Sequence, residues 1–140
     1  RAACDEAGGL LIGVDLVKDK AILDAAYDDA LGVTAAFNLN LLRHMNHLVG
    51  TDFDVQGWRH RGFFNDKASR IEMHLEAQRA LHVAWPGGER DFSAGERIHT
   101  ENSYKFTPQA FSDLLQSAGY RDVAHWSDSR GWFSVFSARA

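Results

Sequence analysis

The feature that most constrains the fold of this chain is a short, uninterrupted apolar run near its start, residues 10–14 (Leu-Leu-Ile-Gly-Val). It follows Gly8 and Gly9, which are typical of the end of a helix, and it leads into Asp15. A continuous apolar run after a glycine stop predicts a strand that is buried on both faces, as in a parallel sheet covered by helices. Such a strand needs neighbouring strands, so we expect residues 1–7 to be the end of a helix and the sequence to begin within a domain.

Two helices are predicted after this strand. Asp19 is a suitable N-cap for the first helix, which ends near Gly32. The second helix ends at Gly50. The apolar residues that recur at helical spacing are Ile22, Leu23, Ala26, Tyr27 and Ala30 in the first helix, and Phe37, Leu41, Met45 and Leu48 in the second.

From residue 58 to residue 105 the pattern changes to that of antiparallel strands. Ile71, Met73 and Leu75 alternate with polar residues, which predicts a half-buried strand. A second alternating run, residues 81–85, ends in the turn sequence Pro-Gly-Gly, and residues 98–106 form a further extended run.

The last part of the chain returns to an α/β pattern. Thr107 is a predicted N-cap, Pro108 suits the first helical position, and Gly119 lies just past the helix end. Two strands joined by a short turn follow, at residues 123–127 and 132–138. We therefore predict an α/β fold with three parts. Residues 1–16 are a late strand of a Rossmann-like core, residues 17–105 are an inserted α+β domain, and residues 106–140 are the final helix and antiparallel hairpin of that core.

Composition argues against several kinds of partner. A net charge of −4 provides no basic stripe for nucleic acid. The longest apolar run is far shorter than the ~20 residues of a membrane helix, and the first residues do not resemble a signal peptide. Cys4 is the single cysteine, which fits a reducing compartment, so we expect a cytoplasmic protein.

Three residues are candidates for binding a small ligand, and each also has a purely structural interpretation. Glu101 and Ser103 alternate along an extended segment, so both side chains lie on one face, roughly 6.6 Å apart, where they could bracket an imidazole. The alternative is a solvated strand face. Tyr27 could donate a hydrogen bond to a ligand carboxylate, or it could be an ordinary core tyrosine.

No metal site or nucleotide cradle is predicted. His44 and His47 are one helical turn apart but have no acidic or cysteine partner at ligand spacing. No glycine-rich loop follows a predicted strand, since Gly8 and Gly9 precede theirs. Cys4 has no basic neighbour that would activate its thiol.

Three blocks of sequence carry a resemblance to a known family. They are residues 13–19 (GVDLVKD), residues 26–40 (AYDDALGVTAAFNLN), and residues 70–73 (RIEM) together with residues 100–105 (TENSYK). In this order and spacing the chain resembles the histidine-specific methyltransferases of ergothioneine biosynthesis. The resemblance covers nearly the whole chain.

The resemblance implies an enzyme that transfers methyl groups from S-adenosylmethionine to the α-amine of L-histidine, giving hercynine. It implies that Tyr27 holds the substrate carboxylate and that Glu101 and Ser103 bind the imidazole. It implies that Met73 lines the pocket. From the strand pattern alone, Met73 is predicted to be a core residue. Asn102 lies on the other strand face, so we expect it to contribute through its backbone or packing.

In the family, the donor-binding loop and a substrate-binding asparagine precede the position of Arg1. We therefore expect S-adenosylmethionine to bind mainly to that preceding part, and this chain alone to be inactive. Two alternatives remain: a non-catalytic ligand-binding or assembly module derived from a methyltransferase, and a methyltransferase of the same family acting on another amino acid.

Overall fold

The computed structural model describes residues 4–5 and 7–140, and it has a mixed α/β fold with small antiparallel sheets. The predicted helix end over residues 1–7 falls largely on residues 1–3 and 6, outside the described residues. In chain order the elements are β1 (Gly9–Asp15), α1 (Lys20–Tyr27), α2 (Val33–Val49), a 3-10 turn (Val55–Gly57), β2 (Trp58–Asn65), β3 (Arg70–Ala77), β4 (Leu81–Trp85), β5 (Gly88–Phe92), β6 (Arg97–Tyr104), α3 (Pro108–Ser117), β7 (Arg121–Ser127) and β8 (Phe133–Arg139). The chain divides into two compact units, one made of residues 1–19 and 104–140 and the other of residues 20–103.

The first unit contains a three-stranded sheet in the order β1-β8-β7. The middle strand, β8, runs antiparallel to both of its neighbours, which confirms the predicted terminal hairpin. The core of this unit lies between the sheet and α3. Its buried members are Val14, Leu16, Phe111, Leu115, Phe136 and Ala138.

The prediction that β1 is buried on both faces is wrong for this structure. Leu11 is 74% exposed, whereas Val14 and the neighbouring Leu16 are buried. The reason is that, within the described part of the chain, α3 packs against one face of the sheet, through Phe111 and Leu115. Burial therefore alternates along β1, although the sequence is apolar on both faces.

The residues predicted to begin and end α3 are confirmed. The Thr107 side chain accepts a hydrogen bond from the amide of Ala110, Pro108 begins the helix, and Gly119 adopts a left-handed conformation with φ of 86°. Leu114, although apolar and next to the buried Leu115, is 48% exposed. The buried stripe of this short helix is limited to Phe111 and Leu115, four residues apart.

The second unit contains a sheet in the order β2-β3-β6 and a separate hairpin of β4 and β5. Strands β2 and β3 are antiparallel, with Gly62 opposite Met73. A main cluster joins α2 to both sheets, and its buried members are Leu42, Trp58, Leu75, Ala77, Leu81, Val83 and Phe92. A second, smaller cluster lies beside α1 and is formed by Leu23, Phe64, Ile71 and Met73, with Tyr27 packed against it.

The two predicted helices of this unit are present, with one change of boundary. α2 ends at Gly50, which has φ of 75°, as predicted. α1 ends at Tyr27, five residues before Gly32, so Ala30 lies outside the helix, and Ala26 is exposed. Among the described residues, no helix combines the length and apolar character that a bilayer crossing requires.

The polar face of β3 differs from the prediction of a half-buried strand. Glu72 and Glu76 are buried as well as the apolar residues between them. Glu76 is bound by the guanidinium groups of Arg59 and Arg97, which come from the flanking strands β2 and β6. Burial of these carboxylates is tolerated because each is paired and hydrogen-bonded.

Candidate functional site

The phenol of Tyr27, the last residue of α1, lies against the end of β6. Its hydroxyl oxygen is 2.9 Å from the hydroxyl oxygen of Ser103, and either group can be the donor. The ring packs against the cluster that contains Leu23 and Met73. The structure therefore brings together two of the residues that the sequence singled out, from elements that are far apart in the chain.

The backbone of Tyr27 is held by a buried chain of hydrogen bonds. The Asn38 side-chain amide lies 2.9 Å from Nδ1 of His60, and Nε2 of His60 lies 2.7 Å from the carbonyl oxygen of Tyr27. Because the amide nitrogen of Asn38 can only donate, Nδ1 accepts and Nε2 carries the proton that is donated to Tyr27. The same amide also donates to the carbonyl of His74. His60 thus connects the end of α1 to α2.

Gly62 allows the close approach of Tyr27 to the sheet. A Cβ atom at position 62 would lie 2.5 Å from the carbonyl oxygen of Tyr27 and 3.0 Å from Nε2 of His60. A side chain cannot be accommodated at that distance without movement of backbone atoms. Glycine at this position is thus required for the observed placement of α1 on β2.

The segment after Tyr27 is fixed by an N-terminal cap of α2. The Asp29 carboxylate accepts hydrogen bonds from the amides of Val33 and Thr34, at 3.0 and 2.8 Å. The hydrogen bonds from Thr34, together with that from Val33, lower the pKa of Asp29 to about 2. The loop that follows Tyr27 therefore has a defined conformation, because a carboxylate satisfies the free amides of the next helix.

The remaining predicted ligand residues occupy three different environments. Met73 is 2% exposed and lies in the core cluster behind Tyr27. Glu101 is half-buried and Asn102 is exposed. Alternation along β6 places Glu101 on the same strand face as Ser103 and places Asn102 on the other face.

A second polar group, which sequence reasoning did not identify, lies on β3 and β6. The Glu72 carboxylate accepts hydrogen bonds from Arg70 and Asn65 through one oxygen, and its other oxygen lies 3.2 Å from Nε2 of His74. The His74 ring stacks on His99, with centroids 4.4 Å apart. The alternation of Glu72 and His74 on one strand was a usable signal, but 24 residues lie between His74 and His99, so the sequence does not show that His99 belongs to the same group.

Charge pairing and burial set the protonation of this group. Hydrogen bonds from Arg70, followed by those from His74 and Asn65, lower the pKa of Glu72 to about 2. Burial lowers the pKa of His74 and outweighs the hydrogen bond to Glu72. At neutral pH the group therefore has an ionised carboxylate next to a neutral imidazole.

The first unit has an ion-pair cluster at the carboxyl end of β1. The Lys105 ammonium group, whose side chain is fully buried, lies 3.0 Å from the Asp15 carboxylate. Lys18 binds the other oxygen of that carboxylate. Although burial raises it, hydrogen bonds from Lys18 and then Lys105 lower the pKa of Asp15 overall. Each oxygen of the Asp15 carboxylate is therefore paired with a lysine.

The segment that follows β1 differs from a glycine-rich nucleotide-binding turn. The segment after β1, residues 16–19, contains no glycine, and Asp15 is occupied by its lysine partners. A donor site of the usual kind needs a glycine-rich turn after a strand, where backbone amides can approach the ligand closely. His44 and His47, the pair considered for a metal, are both exposed on α2.

Comparison with known proteins identifies the family. The profile of the SAM-dependent, histidine-specific methyltransferases matches residues 1–140. The chain is 46% identical over 128 residues to histidine N-alpha-methyltransferase of Mycolicibacterium smegmatis and 44% identical over 128 residues to the enzyme of the same name from Mycobacterium tuberculosis. Each alignment covers 90% of this chain and 40% of the relative.

A fungal protein extends the similarity. Ergothioneine biosynthesis protein 1 of Neurospora crassa is 31% identical over 121 residues, which cover 84% of this chain and 13% of that protein. The chain therefore spans about 40% of the length of its bacterial relatives and less of the fungal one. Because the family profile covers the whole chain, the chain belongs to the histidine-specific, SAM-dependent methyltransferase family.

Proposed function

We propose that this chain is the substrate-binding portion of an enzyme that methylates the α-amine of L-histidine to give hercynine, with S-adenosylmethionine as the methyl donor. The observation that carries the proposal is the match of the family profile to all 140 residues. The names of the two bacterial relatives, with 44% and 46% identity, support histidine as the substrate. On this proposal the chain is inactive by itself, since it spans about 40% of those relatives.

We further propose that residues 1–16 and 106–140 belong to a Rossmann-like core and that residues 17–105 form a substrate-binding domain inserted in it. The sheet order β1-β8-β7, with β8 antiparallel to both neighbours, supports the first part. The compactness of residues 20–103 supports the second. The partner of such a domain is a small molecule. The single cysteine supports a reducing, cytoplasmic location.

The proposed substrate site centres on Tyr27 and Ser103. Tyr27 donates to the substrate carboxylate, while Glu101 and Ser103 bind the imidazole. The hydroxyls of Tyr27 and Ser103 bond each other. An amino acid whose carboxylate and ring are held by these two groups would therefore exchange this hydrogen bond for hydrogen bonds to the ligand.

Met73 and Asn102 have supporting roles in this proposal. Met73 lines the site from the core side, because it packs in the cluster behind the Tyr27 ring. Asn102 is exposed and lies on the other face of β6, so it contributes through its backbone.

The contribution of these residues to catalysis is positioning. Holding both ends of histidine places its neutral amine in one orientation, and such placement can account for about 7–11 kcal/mol of a barrier in favourable reactions. The Asn38–His60–Tyr27 chain of hydrogen bonds supports this role, because it fixes the helix end that carries the phenol.

Selectivity for histidine follows from polar pairing at the ring. A substrate that lacks an imidazole leaves the Glu101 carboxylate desolvated without a donor. An unpaired polar group of this kind costs about 1–3 kcal/mol or more. Apolar amino acids of similar size are therefore rejected.

S-adenosylmethionine supplies the electrophilic methyl group when it is bound. We propose that it binds mainly to the part of the protein that corresponds to the remaining length of the relatives. The absence of glycine in residues 16–19 and the engagement of Asp15 by two lysines support this assignment.

The test is a methylation assay on the protein at its natural full length, with S-adenosylmethionine and each of the common amino acids. The expected result is trimethylation of L-histidine, with other amino acids at least about tenfold poorer in kcat/KM. The 140-residue chain alone, assayed in parallel, should give no product. Preferred methylation of another amino acid, or no methylation of any, would contradict the proposal.

A further inference from the structure

The polar group on β3 and β6 has the composition of a metal site. Glu72, His74 and His99 each offer one ligand atom, and these three atoms lie within 4.8 Å of one another. Two imidazoles and one carboxylate are a donor set that suits Zn²⁺ and neighbouring divalent transition ions. The three residues are distinct from Tyr27 and Ser103, which carry the proposed substrate site.

The spacing of the first two ligand atoms already fits a bound ion. Zn²⁺ in a tetrahedral site lies 2.0–2.1 Å from nitrogen and oxygen ligands, so neighbouring ligand atoms are about 3.3 Å apart. The Glu72 oxygen and Nε2 of His74 are 3.2 Å apart. An ion can thus replace the proton shared by these atoms without a large movement of either residue.

The carboxylate is held in place by residues that are not themselves ligands. Arg70 donates to the first oxygen of Glu72 from Nε and Nη2, at 2.9 and 2.7 Å, and Asn65 donates to the same oxygen at 3.0 Å. The second oxygen is the one that faces His74. Outer-shell hydrogen bonds of this kind orient ligands in known metal sites.

The two imidazoles have different surroundings. Burial lowers the pKa of His74. Nε2 of His99 donates to the carbonyl oxygen of Glu101 at 3.1 Å, so an ion would bind Nδ1 of His99 or replace that hydrogen bond. His74 is stacked between Phe63, with ring centroids 5.4 Å apart, and His99. Nδ1 of His74 is buried and has no hydrogen-bond partner among the described residues, so the proton lies on Nε2, which faces the ionised Glu72 carboxylate, and a metal bound at Nε2 would displace it. His99 is exposed, which gives an ion a path from solvent.

Positive charges near the group limit its affinity but do not occupy the ligand atoms. Arg70 pairs with the first oxygen of Glu72, and Arg97 pairs with Glu76. Their guanidinium groups raise the local potential, so we expect binding weaker than that of an all-cysteine structural site.

We propose that Glu72, His74 and His99 bind one divalent transition-metal ion of the zinc class. The ion would join β3 to β6 two residues before Glu101. It would therefore stabilise the strand that carries the proposed imidazole-binding residues.

The experiment is calorimetric titration of the full-length, metal-free protein with ZnCl₂, repeated for two single variants. His99→Gln removes an exposed ligand with little effect on folding. His44→Gln removes an equally exposed histidine that lies on α2, outside the group. Thermal unfolding with and without Zn²⁺ is measured on the same three proteins, and the absorption spectrum with Co²⁺ reports the ligand geometry.

The expected result is one bound Zn²⁺ per chain and a higher Tm in its presence. His99→Gln should weaken binding by at least about tenfold, since loss of even an outer-shell partner costs about 10- to 100-fold. His44→Gln should leave binding unchanged, and Co²⁺ should give the visible absorption of a low-coordinate site. Lack of Zn²⁺ binding, or equal binding by His99→Gln and the unsubstituted protein, would overturn the proposal.

Discussion

The hydroxyl groups of Tyr27 and Ser103 lie 2.9 Å apart, although 76 residues separate them in the sequence. Tyr27 ends α1, and its carbonyl is bound by His60. Ser103 lies near the end of β6. This contact gives the proposed substrate site a fixed starting geometry, because each hydroxyl belongs to an element whose backbone is already anchored.

Removing either hydroxyl should therefore break the same bond. We expect Tyr27→Phe and Ser103→Ala to show a coupling of about 0.5–1.5 kcal/mol in the free energy of unfolding. The measurement is a double-mutant cycle by urea denaturation of the full-length protein. A matched cycle uses Tyr27→Phe with Thr100→Val, whose hydroxyl on the same strand bonds Met73 instead. We expect the effects of the two substitutions to be additive in the second cycle. Additive effects in the first cycle as well would show that the contact between the two hydroxyls does not contribute to stability.

The buried hydrogen bonds behind Tyr27 give a second prediction. Asn38→Ala leaves Nδ1 of His60 without a donor, so we expect a loss of about 1–3 kcal/mol in unfolding free energy. Asn40→Ala, on the exposed side of the same helix, should change it by less than about 0.5 kcal/mol. Denaturant unfolding curves of the two variants make the comparison. Similar losses of unfolding free energy in the two variants would mean that the hydrogen bonds through His60 do not stabilise the end of α1.

The cap formed by Asp29 predicts a pH dependence. Its pKa in the folded protein is about 2, below the ordinary value of 3.8, so the ionised form favours folding. This stabilisation is fully present above pH 3.8 and is lost as the pH falls toward 2. The chemical shift of the Thr34 amide, followed by NMR against pH, should titrate near 2. Asp29→Asn should abolish that titration, whereas Asp28→Asn should retain it. Titration of the amide at 3.8 in the unsubstituted protein would contradict the cap.

Much of the fold follows from local sequence signals. Thr107, Pro108 and Gly119 define α3 because capping and left-handed backbone geometry depend on single residues. Gly50 ends α2 for the same reason. The terminal hairpin was predictable because its two apolar runs are separated by a short turn.

Burial of polar residues and distant contacts could not be predicted in the same way. The alternating pattern of β3 predicts that Glu76 faces solvent, but in the folded protein Arg59 and Arg97 from two other strands neutralise its charge. α1 ends at Tyr27, earlier than its apolar pattern suggests. The site residues Tyr27 and Ser103 were proposed from family resemblance, because neither periodicity nor spacing can show that a helix end meets a strand end.

The central claim is that one face of β6 recognises the imidazole of histidine, and calorimetry of L-histidine binding tests it most directly. The full-length protein, saturated with the demethylated donor product, is compared with Glu101→Ala and Asn102→Ala, two neighbouring residues on opposite strand faces. We predict that Glu101→Ala weakens binding by about tenfold or more and that Asn102→Ala changes it by no more than about twofold. Equal affinities for the two variants would contradict the claim.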